Sequence, residues 1–357
     1  MNRNMHENSV ARGTGGLGRG AQEGRAAQES PTAMPRVVAK YRHALPQTSG
    51  NFFLTDGGIE TTLMFLDGLE LPHFAAFHLF RTQRGEDALR KYYRKYAQIA
   101  RERRSGLVLE TATWRANGDW GDKLGYTADE LAEVNRASVA MLAELRAEYE
   151  TSDVPIVISG CIGPRGDGYV PTELMSAAEA EDYHSRQVET FAGTAVDLVT
   201  GITMNYVEEA VGLACAAEDA ELPVVISLTV ETDGRLPTGQ TLGEAIEQID
   251  AETGGYPSYF MINCAHPSHF VFAVDGDHLW KDRIRGLRAN ASSMSHAELN
   301  EALELDAGDP EALGRDYALL KGRLLRQLNV FGGCCGTDHR HIDQIAAACL
   351  PLFLGGA

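Results

Sequence analysis

At 357 residues, 44% hydrophobic and 23% charged, the chain has the composition of an ordinary globular protein with a large core. Its net charge of -18 is uneven: residues 1–50 carry seven Lys/Arg against three Asp/Glu, so the rest sums to -22 (-18 minus +4). So acidic a body excludes an electrostatic grip on nucleic acid or an anionic membrane.

No apolar run reaches the roughly 18 residues of a spanning helix, and the N-terminus has no hydrophobic signal core, so a cytoplasmic protein is expected. Six cysteines, at 161, 215, 264, 334, 335 and 349, are too sparse for a secreted disulfide framework and fit reduced thiols or metal ligands.

Residues 1–45 are Gly-, Arg-, Ala- and Gln-rich without a periodic apolar face. They read as a disordered extension, with Met34 as an alternative start, and leave 46–357 as one domain. Gly13-Thr14-Gly15-Gly16-Leu17-Gly18 satisfies G-x-G-x-x-G, but no strand precedes it and no helix follows, so it is not read as a nucleotide loop.

Further on, short apolar runs predict strands at 52–54, 106–109, 155–159, 196–202, 223–228, 259–262, 284–287 and 328–331. Helix starts are marked by four S/T-x-x-E capping boxes: Thr127 with Glu130, Ser176 with Glu179, Thr241 with Glu244 and Ser295 with Glu298. Asp309-Pro310 adds an N-cap with proline at the first helical position. Leu89, Tyr92, Tyr93, Tyr96, Ile99 and Ala100 share one helical face, as do Leu131, Val134, Ser138, Met141, Leu142 and Leu145, and both read as packing stripes.

Eight strand-helix units predict an α/β protein with the (β/α)8 TIM barrel, a doubly wound sheet being the alternative. A barrel builds its site at the C-terminal ends of its strands. The unusual residues fall there: Asp56-Gly57-Gly58, Glu110-Thr111, Gly160-Cys161, Asn263-Cys264 and Gly333-Cys334-Cys335.

Adjacent side chains in a strand point to opposite faces, so Cys334 and Cys335 can serve one site only if the backbone leaves the strand there, as Gly332, Gly333 and Gly336 permit. Cys264, ending the sixth strand, is the natural third sulfur. Three thiolates suit zinc with its fourth tetrahedral place open. A redox pair and a structural zinc closed by His266 are the alternatives. His266 and His269 read as loop histidines, Cys215 and Cys349 as buried structural thiols, and Cys161 as opening the loop after the third strand.

Asp56-Gly57-Gly58, Thr111-x-Thr113, Gly160-x-x-Gly163-Pro164, Asn263-Cys264 and Gly-Gly-Cys-Cys-Gly-Thr together resemble the homocysteine S-methyltransferases, over about Phe52 to Leu350. The resemblance implies a TIM barrel, Zn2+ on Cys264, Cys334 and Cys335, and homocysteine as the thiol acceptor. It also implies methyl transfer from an onium donor, S-methylmethionine or S-adenosylmethionine, to give methionine. Asp56 matches the aspartate that holds the substrate ammonium in relatives, with Gly57, Thr111 and Asn263 as further acceptor contacts.

A second family carboxylate falls on Ile202-Thr203, where this chain departs from the pattern. Glu110 is the candidate replacement, its bland alternative being a rim ion pair with Arg115. Arg288 and Asn290 are candidates for the substrate carboxylate, and Trp114 and Trp120 for an aromatic face toward the donor cation. The departure keeps open a different thiol acceptor, or a non-catalytic zinc or thiol-redox sensor. The expected partners are therefore small molecules, without nucleic acid or membrane, and a barrel's helical exterior suits a monomer or a homo-oligomer.

Overall fold

The computed structural model describes residues 38–354 except Glu173 and Leu303, so most of the expected extension, with its G-x-G-x-x-G stretch, lies outside the described residues. Eight parallel strands close in sequence order into one barrel. They are β1 (Phe53–Leu54), β2 (Gly106–Glu110), β3 (Ile156–Ile162), β4 (Leu198–Met204), β5 (Val224–Thr229), β6 (Tyr259–Asn263), β7 (Ile284–Ala289) and β8 (Val330–Gly333). The TIM-barrel expectation is met, and β1 completes the ring by pairing with both β2 and β8.

The outer layer includes the helices Gln83–Arg103, Ala128–Tyr149, Ala177–Ala192, Val207–Asp219, Leu242–Glu252, Pro310–Leu319 and His339–Cys349. All four predicted capping boxes form, their hydroxyls accepting from the amides of Glu130, Glu179, Glu244 and Glu298 while the carboxylates reach back. Asp309 caps its helix as expected. Both predicted stripes face inward: Tyr92, Tyr93 and Tyr96 are buried, as are Leu131, Val134, Met141, Leu142 and Leu145.

Inside the barrel, polarity changes with height. At the N-terminal end Phe53, Val108, Val157, Leu198, Val225, Tyr259, Met261 and Val330 form an apolar cluster with Leu45. Two residues further along several of these strands, the same inward face turns polar: Glu110 follows Val108, Ser159 follows Val157, Thr200 follows Leu198 and Ser227 follows Val225. Ser159 and Thr200 share a 2.7 Å hydrogen bond, and Ser227 Oγ donates to Asn263 Oδ1 at 2.6 Å. The apolar half supplies burial, and the polar half is free to do chemistry.

Two expectations need correction. Residues 38–45, assigned to the disordered extension, lie against the barrel instead. The Lys40 and Tyr41 amides donate to Asp197 Oδ1 at 2.8 and 2.7 Å, Arg42 reaches the carbonyls of Ala192, Thr194 and Val196, and Leu45 joins the interior cluster. Cys161, expected in a loop, lies within β3, because that strand runs three residues past its predicted end. Among the described residues no helix is long and apolar enough to cross a membrane.

Candidate metal and substrate site

The C-terminal ends of the strands open into a cavity of about 330 Å³, and Cys264, Cys334 and Cys335 all line it. Their three Sγ atoms lie within 4.8 Å of one another. Cys264 and Cys334 are drawn together as a disulfide pair with Cα atoms 5.4 Å apart, and Cys335 is a free thiol.

Backbone geometry produces the convergence. β6 ends at Asn263, and Cys264 takes φ 54°, a left-handed conformation that turns its side chain out of the strand's alternation. Its carbonyl accepts from Asn290 Nδ2 at 2.9 Å and contacts His296 Nε2. These bonds help hold a backbone state that costs of order 1–2 kcal/mol.

β8 ends at Gly333, so both later cysteines lie on the turn beyond it. The Cys334 amide donates to Ala289 O at 2.8 Å, Cys335 O accepts from the Ala291 amide at 3.0 Å, and Gly336 turns the chain at φ 80°. From the opposite side, the Gly58 amide donates to Thr337 O at 3.0 Å, and a Cβ at Gly58 would collide with the Cys334 carbonyl. The Asp-Gly-Gly and Cys-Cys motifs are thus two halves of one close contact.

The floor is a buried charged group. Arg288 Nη2 lies 2.7 Å from Asp56 Oδ1, and Tyr92 Oη donates to Asp56 Oδ2 at 2.9 Å. Burial pushes the Asp56 carboxyl up against the pull of Arg288. Glu110 is also buried, and burial raises it to about 7 despite Arg288 nearby. Glu110 Oε2, Arg288 Nη1 and Asn290 Oδ1 are buried without hydrogen-bond partners. Two acceptors and one donor therefore face the cavity unsatisfied, and such groups are costly unless something completes them.

Other expected residues fare differently. Gly57 and Thr111 line the cavity, although the Thr111 hydroxyl accepts from the Cys161 amide at 2.8 Å. Asn263, expected to touch substrate, is spent on structure: Oδ1 accepts from Ser227 Oγ and the Thr203 amide, and Nδ2 donates to Thr203 Oγ1 at 2.8 Å. Asn263 does not line the cavity and instead braces Thr203, which sits at φ 66°. Ile202 lines the wall with an apolar side chain. Glu110 forms no ion pair with Arg115, whose Nη1 donates to the His73 carbonyl.

Trp114 lines the cavity and donates through Nε1 to Ile202 O at 3.2 Å. Trp120 does not line it; its ring has Arg115 at 3.9 Å and Lys123 at 3.8 Å. His266 and His269 lie off the cavity, and His269, expected in a loop, is instead within the short helix Pro267–Phe270 that His266 caps, where it meets Ser293 O at 2.9 Å. Cys349 is buried, whereas Cys215 is partly exposed on its helix.

The lining residues that escaped the sequence reading include Glu60, Arg115 as a wall group, Tyr169 and His296. Tyr169 Oη donates to Cys264 Sγ at 3.2 Å and lies 3.9 Å from Cys335 Sγ. The His296 ring packs at a tilt against the Tyr169 ring, centroids 4.2 Å apart, and bonds Glu231 through Nδ1 at 3.1 Å. Burial, then Glu60, push the Cys335 thiol up to about 11. Glu60 lies in the short helix Ile59–Thr61 and His296 opens the capped helix His296–Glu301, while Arg115 and Tyr169 lie on loops without a periodic signal.

A family model described as Homocysteine S-methyltransferase matches residues 53–349. The methionine synthases of Mycobacterium leprae and Mycobacterium tuberculosis are 23% and 24% identical over 293 residues, covering 73% of this chain. The chain spans only 21% of the length of these curated relatives. Among solved structures, the oxidized and metallated forms of the homocysteine methyltransferase MmuM from Escherichia coli superpose with TM-scores of 0.67 and 0.65 at 18% identity. They cover 85% and 83% of this chain and 98% and 96% of theirs, a likeness of fold.

Proposed function

Because the chain belongs to the homocysteine S-methyltransferase family, we propose that it moves a methyl group from an onium donor, S-methylmethionine or S-adenosylmethionine, to the thiolate of homocysteine, forming methionine. The observation that carries this reading is the meeting of Cys264, Cys334 and Cys335 at one point of the barrel-mouth cavity. Three sulfurs of this kind are the soft donor set that zinc favours, and they number one fewer than a closed structural site uses. They fit the metal, and Cys264, Cys334 and Cys335 would hold it once the first two are reduced. Zinc held there supplies Lewis acidity toward the acceptor sulfur, lowering its pKa from an ordinary value near ~8.5 so that the thiolate persists at neutral pH.

The protein's own groups bind and orient. Glu110 and Asp56 offer carboxylate oxygens to the acceptor's ammonium, while Arg288 Nη1 offers a donor to its carboxylate. The three orphaned atoms on the floor, two acceptors and one donor, match the polar end of an α-amino acid. The acceptor thiolate forms a bond to the methyl carbon as the methyl-onium bond breaks, and the electron pair stays on the donor's heteroatom. A cation and an anion become two neutral groups, so the low-dielectric cavity favours the transfer once both partners are aligned. Tyr169 Oη lies against two of the thiols, Cys264 and Cys335.

Ile202, in place of a carboxylate, supports a second reading in which the acceptor is a thiol without an amino group. Reduced, zinc-loaded protein should be assayed with both kinds of thiol over a donor panel, with product followed by mass spectrometry. Methionine formation is expected. Bound zinc with no turnover for any donor-thiol combination would overturn the enzyme reading.

A further inference from the structure

Of the three converging cysteines, only Cys264 has a left-handed backbone, at φ 54°. Most of its backbone bonds come from β7: its amide donates to Arg288 O at 3.1 Å, and its carbonyl accepts from Asn290 Nδ2 at 2.9 Å. A second partner, His296 Nε2, reaches the same carbonyl from further along the chain. A carbonyl oxygen only accepts, so Nε2 carries the hydrogen there. The other ring nitrogen, Nδ1, meets Glu231 Oε1 at 3.1 Å. Substrate binding as described gives neither residue a task, and Glu231 does not line the cavity at all.

Both ends of this link are fixed locally. Glu231 opens the turn after β5, which is closed by its own amide donating to Arg235 O at 2.8 Å and by the Gly234 amide donating to Glu231 O at 2.9 Å. His296 is the first residue of the helix His296–Glu301, whose start is set by the capping box of Ser295 with Glu298. The loops after β5 and β7 are thereby joined at one carbonyl beyond the end of β6.

We propose that His296, oriented by Glu231, is a positioning residue that holds Cys264 in its left-handed turn so that its sulfur meets those of Cys334 and Cys335. The inference rests on the zinc site of the methyl-transfer reading and adds two residues that act through Cys264. Tyr259 and Met261 point into the barrel, as does Asn263 two residues further on. A Cys264 relaxed to an extended backbone would continue that alternation and turn its sulfur outward, away from the other two. The left-handed state costs of order 1–2 kcal/mol, whereas one hydrogen bond contributes about 0.5–1.5 kcal/mol net. The bond from Asn290 alone therefore leaves the turn barely held, and the second bond from His296 secures it.

The test uses reduced protein with no acceptor or donor present, so metal binding is read apart from turnover. Zinc affinity is measured by competition with a chromophoric chelator, and the sulfur-to-metal charge-transfer absorption is recorded on Co(II)-loaded protein. His296→Phe keeps a ring against Tyr169 and removes both nitrogens. It should weaken zinc about 10- to 100-fold, the range for loss of an outer-shell partner, and lower the Co(II) absorption as one sulfur leaves the metal. His296→Gln, which restores an N–H donor near the place of Nε2, should recover most of both. Glu231→Leu should reproduce the defect more mildly. Since both residues act through one carbonyl, the double variant should be no weaker than His296→Phe alone, whereas independent effects would add. Wild-type zinc affinity and Co(II) absorption in His296→Phe, whatever its melting temperature, would overturn the proposal. So would additive losses in the double variant, or a His296→Gln as defective as His296→Phe. Absence of methyl transfer in the activity assay, with these metal-binding results intact, would fault the reaction and not the positioning.

Discussion

Glu110→Gln is the most informative change to the acceptor site. The carboxylate is buried at the end of β2 with Oε2 unpartnered, and an ammonium group would give it a charge-assisted hydrogen bond. Such bonds contribute about 1.5–3 kcal/mol, so the homocysteine KM should rise about 10- to 150-fold, at 1.4 kcal/mol per factor of ten. Glutamine keeps the shape and an acceptor oxygen, so kcat should change far less than KM. The pH dependence has a definite sign. Burial raises Glu110 to about 7, so its charged form is scarce below that pH and dominant above it. The wild-type homocysteine KM should therefore fall as pH rises through about 7, and the variant should lose that slope. Steady-state kinetics from pH 6 to 9, with 3-mercaptopropionate as an acceptor lacking the amino group, separates this effect from thiol ionisation. An unchanged homocysteine KM, or equal effects on both thiols, would refute the assignment.

Cys335→Ser should cut zinc affinity at least about 10- to 100-fold, a range that loss of an outer-shell partner alone already reaches, whereas Cys215→Ser should leave metal content unchanged by mass spectrometry. Asp197→Ala should destabilise the fold by about 3–5 kcal/mol in urea denaturation, because it strands the buried Arg146 and leaves the Lys40, Tyr41 and Ile158 amides without their acceptor. Gly58→Ala should lower zinc content while leaving the melting temperature nearly intact, since its Cβ would push the Cys334 carbonyl and move the thiol pair. Wild-type metal content in that variant would mean the two loops can separate without disturbing the sulfurs.

Most of the barrel was legible, and the misplaced strand ends have a physical cause. Predicted strands stopped where apolar runs stopped, at Leu109, Ser159, Ile202, Leu228, Ile262, Leu287 and Phe331. The observed strands continue through Glu110, Ile162, Met204, Thr229, Asn263, Ala289 and Gly333. The added residues include Glu110, Cys161, Thr203 and Arg288, which line the cavity instead of extending an apolar run. Hydrophobic patterning therefore fails first where function begins. The capping boxes were read correctly because their hydrogen bonds close within four residues.

Pairings across the barrel are another matter, and they change the meaning of residues that were singled out correctly. Asp56 was expected to be free for a substrate ammonium, yet it meets Arg288 at 2.7 Å, a contact between residues 232 positions apart (288 minus 56). No local pattern announces such a pair, since it exists only when β1 and β7 both feed the closed ring. With Arg288 on its Oδ1 and Tyr92 on its Oδ2, Asp56 has less charge to offer a ligand than an isolated carboxylate would. Glu110, opposed by no partner on Oε2, becomes the more effective anion on the floor. The apolar wall at Ile202 and the engagement of Asp56 point the same way: in the proposed reaction the acceptor's ammonium falls to Glu110 on β2, and its recognition would depend on whether Glu110 is ionised.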